Sequence, residues 1–409
     1  MVTLFAASPF VAGTGASAQT ETVLHTFVST SPYSNLGYTP LAGLLLDASG
    51  NLYGTTSGGG PNTNCVYGSG CGTAFELIHK AGGGWTEKTL HSFGSGKDGA
   101  FPGAALIFDA AGNLYGTTEG GGSNPNCTNG ATGGCGTVFE LLPSANGWTE
   151  RILHNFNNDG KDGFTPQSKL IFDAAGNLYG TTYQGGAFNN GVVFALTPKA
   201  GGGWSEKILH HFDTSGGYFA QGGVVLDSAG NVFGTTEWGG AYNNGTVYEL
   251  SRNAGGTWTE KVLYSFNDNG TYQVPSPLVF DSAGNLFGAL GGFDCYCGSL
   301  FELTPAGGGG WTEKTAYTFI GPGPSSLTFD SAGNLYGTIW KGGNWSNGAV
   351  FKLTSVSGGW VETESYSFTG NNDGSGPNPG LVLDAGGTLY GTTVAGGRGL
   401  AGTVFEIVP

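Results

Sequence analysis

The chain has 409 residues, 80 of them glycine and 17 proline, with 11 % charged residues and a net charge of −15. Glycine and proline at nearly a quarter would suit disorder, but 13 % aromatics exclude it, because disordered chains lack the apolar surface that offsets ordering entropy. An acidic, lysine-poor chain is also a poor partner for nucleic acid or anionic lipid.

Leu4 to Gly15 is small and apolar, and Ala16-Ser17-Ala18 before Gln19 is an A-x-A cleavage site. Residues 1–18 are therefore expected to be a signal peptide and 19–409 the mature domain. The leader lacks a basic start, since the first Lys or Arg is Lys80, so a start codon further upstream stays open. No later run of 18 apolar residues exists, so no membrane span is expected. The last strand ends at Pro409, and no anchor tail is expected.

One phrase then organises the chain. Asp47-Ala-Ser-Gly50-Asn51-Leu52-Tyr53-Gly54-Thr55-Thr56 recurs with its Asp at Asp109, Asp173, Asp227, Asp281, Asp330 and Asp384. A Gly-Thr-Ala-Phe-Glu-Leu phrase follows at Gly72–Leu77 and returns down to Gly402–Ile407. A Trp-Thr-Glu-Lys phrase follows that at Trp85, Trp148, Trp204, Trp258, Trp311 and Trp360. Each repeat holds four strands. Strand a is an apolar run such as Leu106-Ile107-Phe108, expected to be buried on both faces. The three phrases supply strands b, c and d, and Asp-x-x-Gly-Asn forms the a–b turn.

The ends decide the topology. The seventh repeat stops at strand c, and its missing strand d lies at the start, where Glu21–Phe27 matches Glu87–Phe93. The expected fold is all-β: a seven-bladed β-propeller of four-stranded blades, its ring closed by the N-terminal strand. These phrases resemble the GloVer (Gloeo_Verruco) tandem-repeat family over nearly all of the mature chain. The resemblance implies an exported bacterial protein, often with a C-terminal anchor, and it implies no reaction. Without an anchor tail, a secreted or periplasmic location is expected.

The six cysteines fall in close pairs, Cys65/Cys71, Cys127/Cys135 and Cys295/Cys297. In an exported chain they suggest disulfides, with the Cys295/Cys297 ring strained and its oxidation left open. No histidine lies near any pair, so no metal is expected, and no motif calls for a cofactor.

Residues that recur in every blade serve the blade, and those that break the repeat are the functional candidates. His25, His91, His154 and His210 share one strand d position with Tyr264, Tyr317 and Tyr366. A position that accepts either residue speaks for packing and hydrogen bonding. Nineteen of the 29 acids occupy repeat positions. Nine of the other ten lie in b–c or d–a segments: Asp98, Glu119, Asp159, Asp162, Asp213, Glu237, Asp268, Asp294 and Asp373. Strands alternate in direction, so these segments share one face of the disc. Asp98, Asp162 and Asp373 sit in a partly repeated Asp-Gly-x-x-Pro and are expected to form turns. Five basic residues share the face (Lys97, Lys161, Lys169, Lys341, Arg398), leaving it mildly acidic.

This face also collects aromatics. Rings beside carboxylates and amides suit sugars, whose C–H faces stack while their hydroxyls hydrogen-bond. The ligand-binding candidates are Tyr183, Trp238, Tyr242, Asp294, Trp340, Trp345, Gln167 and Gln221. The first expectation is a secreted propeller that binds glycan or another extracellular ligand. The alternative is a carbohydrate-active enzyme using two carboxylates, Glu119 and Glu237, with Lys169 as charge stabiliser. A structural role in an extracellular matrix is the third reading. Ligand identity and oligomeric state stay open.

Overall fold

The computed structural model describes residues 19–28, 37–62, 65, 70–94, 97–124, 127, 133–267, 274–291 and 298–408. Seven antiparallel sheets follow one another along the chain. Blade one runs Leu45–Leu46, Leu52–Thr56, Thr73–His79 and Trp85–Ser92 in the order a-b-c-d. The others repeat this order through blade six, which ends on Gly359–Ser367. Blade seven takes strand d from the other end of the chain: Thr20–Val28 pairs antiparallel with Leu400–Val408. The expected seven-bladed propeller with a strand-exchange closure is what forms.

Strand b, rather than strand a, is the strand buried on both faces. Leu52–Thr56, Leu114–Thr118 and Leu178–Thr182 are buried at every residue. Strand a is only two to four residues long, and Leu45–Leu46 and Ile171–Phe172 are half-buried. The reason is position: strand a is innermost, so part of its surface faces the central channel while strand b has sheet or neighbouring blade on every side. The apolar residue ahead of strand a (Leu44, Leu106, Leu170) is the buried one.

The glycine of Leu-Tyr-Gly-Thr-Thr has a packing cause. A methyl group on Gly116 would meet the Phe139 ring at 2.6 Å and Leu106 at 2.9 Å. Strand b thus gives up a side chain so that the strand c phenylalanine can lie across it.

Three contacts join blades around the ring. The strand d phenylalanine meets the next blade's strand c ring at every junction, edge-on at six, as in Phe27–Phe75, Phe93–Phe139 and Phe368–Phe405, and tilted at Phe266–Phe301. Each fully buried ring contributes roughly 1.5–3 kcal/mol. Nearer the axis, the first strand b threonine donates to a carbonyl of the next blade, as Thr55 to Ala104, Thr117 to Ser168 and Thr392 to Ala42. At the outer edge, the strand d His or Tyr meets the next blade's strand d Glu: His25–Glu87, His210–Glu260 and Tyr317–Glu362. The His/Tyr position thus packs and bonds polar partners, as its repeat position suggested, and the structure shows that the partner lies on the next blade.

The a–b turn repeats closely. Asp109 Oδ1 accepts the amides of Ala111 and Asn113, and Oδ2 accepts the Asn113 amide group and the Tyr115 hydroxyl. These bonds outweigh burial and hold the carboxyl below the usual range. The b–c and d–a segments do share one face, since Gly37–Tyr38 pairs with Gly58–Gly59 and Gly163–Phe164 with Gln184–Gly185. Disulfides join Cys65 to Cys71 and Cys127 to Cys135 on this face. Cys295 and Cys297 lie outside the described residues, as do residues 1–18. No helix among the described residues is long and apolar enough to cross a membrane.

Candidate functional site at the channel mouth

The position directly after strand b is held in the same way in four blades. Its backbone amide donates to a residue of the d–a segment: Ser57 to Thr39, Glu119 to Phe101, Tyr183 to Thr165 and Glu237 to Phe219. All four acceptors have positive φ, between 56° and 61°, without being glycine. Such backbone is uncommon for these residues and persists only where its surroundings impose it. The fold thus presents one side chain per blade from a fixed ledge, and the sequence varies what is presented.

Glu119 reaches inward from its ledge. A Cβ on Gly103, just ahead of innermost strand a, would stand 2.7 Å from Glu119 Oε1. Its carboxyl also bonds the side chain of Gln167, ahead of strand a in blade three. Gln167 Oε1 in turn accepts the Gln221 amide at 3.3 Å, from the matching position in blade four. Burial raises the Glu119 pKa above the ordinary carboxyl range, with the Gln167 bond opposing the shift.

A second pair lies beside this chain of side chains. The Tyr183 hydroxyl donates to Glu237 Oε2 at 3.3 Å, and Glu237 is 4 % exposed. The Tyr183 ring stacks on Phe219, with centroids 4.5 Å apart and planes 21° from parallel. Five of the sequence candidates (Glu119, Gln167, Tyr183, Gln221 and Glu237) therefore occupy one arc across blades two to four. Lys169 is on the same arc. Its side chain is open to solvent yet ringed by protein, and that partial desolvation lowers its ammonium pKa.

Other candidates stand apart. Trp238 is half-buried, its backbone bridging to Tyr218. Tyr242 and Trp345 project from loop tips, 56 % and 63 % exposed. Trp340 belongs to blade six, with Lys341 Nζ 5.2 Å from its ring centroid. Asp268 and Asp294 lie outside the described residues. Asp98, Asp162 and Asp373 bond the strand d residues His91, His154 and Tyr366, so they belong to the blade edge. Asp159 and Asp213 accept backbone amides two and three residues ahead, which makes them turn residues.

Phe219 was not singled out from the sequence. The signal was present, because it takes the place of Phe101 and Thr165 while its blade has Ala220 where theirs have Pro102 and Pro166. On the opposite face, a groove of about 460 Å³ lies where blades seven and one meet, lined in part by His79, Trp85, Tyr390 and Glu406.

Fold and loops together define a seven-bladed propeller that presents variable side chains at its channel mouth. The chain matches the Gloeobacter/Verrucomicrobia repeat over residues 13–203, 126–323 and 275–409, and it belongs to that family. No curated protein matches it significantly. Among solved structures it is similar to a protein from Bacteroides uniformis described as a candidate 6-phosphogluconolactonase. That likeness has a TM-score of 0.51 at 14 % identity, over 80 % of this chain and 84 % of the other, and it shows the fold. A candidate gluconolactonase is more distant, with a TM-score of 0.43 at 13 % identity, over 86 % of this chain and 96 % of the other.

Proposed function

We propose that this propeller is a carbohydrate-active enzyme, working outside the cytoplasm on a neutral sugar derivative held across blades two to four. The observation that carries the reading is Glu119: a carboxyl held inward at the channel mouth by Gln167, its pKa raised by burial above the ordinary carboxyl value. A half-buried acid with its pKa shifted upward is the candidate proton donor for a departing sugar oxygen. Glu237, oriented by the Tyr183 hydroxyl, is the candidate base or nucleophile. Gln167 and Gln221 offer amides to sugar hydroxyls, and the stacked Tyr183–Phe219 pair offers an apolar flank. Lys169, its charge less favoured than in water, is the candidate stabiliser of developing negative charge.

The 6-phosphogluconolactonase description of the Bacteroides uniformis neighbour keeps sugar chemistry on this fold in view. Its phosphate half suits this face poorly, because acids outnumber bases there and Lys169 is the single cation of the arc among the described residues. Export is supported by the two disulfides and by the leader-like residues 1–18, whose removal would leave 19–409 as the mature domain. A second reading, a propeller that binds glycan without turning it over, is favoured by the exposed Tyr242 and Trp345 on the same face.

One screen separates the two. Purified protein is incubated with neutral polysaccharides, aryl glycosides and aldonolactones, with reducing-end and acid-release detection, and binding is followed in parallel. Product that disappears in Glu119→Gln supports the enzyme. Binding without product, lost in Trp345→Ala or Gln167→Ala, establishes the binding reading instead. Neither product nor binding overturns both.

A further inference from the structure

The outer contact between strand d of one blade and the next has a richer form at two junctions. Between blades one and two, His91 Nε2 lies 2.9 Å from Asp98 Oδ2 and 3.8 Å from Glu150 Oε2. Between blades two and three, His154 Nε2 lies 3.0 Å from Asp162 Oδ2 and 3.3 Å from Glu206 Oε1. In each triad the nitrogen and the two carboxylate oxygens all lie within 4.8 Å of one another.

The junction between blades six and seven supplies an internal control. There Tyr366 of blade six replaces the histidine, beside Asp373 and the Glu21 carboxyl of blade seven. Asp373 is fully satisfied: Oδ1 accepts the Thr369 hydroxyl at 2.6 Å, and Oδ2 accepts the Tyr366 hydroxyl and the Thr369 amide. Asp98 and Asp162 are not. Their Oδ1 atoms are buried and accept no hydrogen bond. The glutamates do not differ in this way, since Glu150 Oε1 and Glu21 Oε1 are both buried and unbonded. The Asp98 side chain is only 4 % exposed. A buried carboxylate oxygen without a donor is costly, and two ionised carboxylates against one imidazole would leave negative charge that a cation or a shared proton must compensate.

We infer that the triads His91–Asp98–Glu150 and His154–Asp162–Glu206 are two equivalent binding sites for a divalent transition ion of the zinc type. One imidazole and two carboxylates match the ligand preference of zinc, with the fourth position left to water. Bond lengths of about 2.0–2.2 Å put tetrahedral ligands about 3.3–3.6 Å apart, within the spacing of these atoms. The ion would sit among the convergent nitrogen and carboxylate oxygens, one from each residue, balance the charge and tie strand d of one blade to the next. Blades one and two also carry the disulfides Cys65–Cys71 and Cys127–Cys135. The competing occupant is a proton shared between Glu150 and Asp98, which would need no metal.

The test uses the full chain without a histidine tag, stripped with chelator and dialysed against zinc. Elemental analysis should find two zinc ions per chain, and zinc should raise the thermal midpoint. His91→Tyr and His154→Tyr borrow the residue that blade six uses at Tyr366, so the strand d contact survives. Each should remove one ion, and together they should remove both ions and the zinc-dependent rise. Cobalt loading should give a tetrahedral visible spectrum that the double variant lacks. Zinc below one per chain, or unchanged uptake in a folded double variant, would overturn the inference in favour of the shared proton.

Discussion

The outer edge of the disc and its channel mouth use the same residue types to opposite ends. At the edge, strand d His or Tyr meets a glutamate of the next blade around the ring, and residue choice tracks the repeat. At the mouth the backbone ledge repeats, but the side chain on it changes from Ser57 to Glu119, Tyr183 and Glu237. Repetition marks what holds blades together, and variation on a repeated support marks what is free to serve a ligand. Both regions contain buried acids with raised pKa, so a perturbed carboxyl alone does not distinguish support from function.

Four predictions test this contrast, from the largest effect to the smallest. Deleting Thr20–Val28 should abolish the closed ring, because blade seven then lacks strand d and Leu400–Val408 becomes a bare edge. Circular dichroism and size-exclusion chromatography should show loss of cooperative melting and self-association; a native-like melt would mean closure is dispensable. Glu119→Gln should lower turnover at least ~100-fold, or roughly 3 kcal/mol, with little change in thermal midpoint. Glu260→Gln at the edge should do the reverse, moving stability and leaving turnover alone. If both variants behave alike, the division between edge and mouth fails.

Asp109→Ala removes four hydrogen bonds from one turn and should cost about 1–3 kcal/mol in denaturant unfolding. The last test is the pH slope. Burial above all raises Glu21 and Glu260 to about 7. The folded chain then holds protons there that the unfolded chain releases near 4.5, so this contribution is fully present below that pH and drains away up to about 7. Asp109, Asp173 and Asp330 are lowered, and their contribution is lost as pH falls below the ordinary aspartate value. The thermal midpoint should therefore peak in mild acid, decline toward neutrality, and decline less in Glu260→Gln. A midpoint that rises from pH 5 to pH 7 would contradict the burial of these two glutamates.

The blade plan was legible because it is written seven times in short-range chemistry. Asp-x-x-Gly-Asn makes its own turn, and Gly116 clears a path for Phe139 one strand away. Even the closing strand could be read, since Glu21–Phe27 carries the strand d pattern with no blade beside it in sequence. Strand a was misjudged for a physical reason: an apolar run shows that a strand is covered, but only the ring shows that its inner side faces a channel.

The 80 glycines and the charge of −15 thus divide between two levels of explanation. Composition and repeat determined by themselves the strands, turns, blade count and the face carrying the odd residues, since each depends on neighbours within one repeat. Tertiary structure alone decided which odd residues meet. Glu119 finds Gln167 and Gly103, Tyr183 finds Glu237 and Phe219, and His91 finds Asp98 and Glu150. Several of these contacts cross from one blade to the next, and the angle between blades is set by packing around the whole ring.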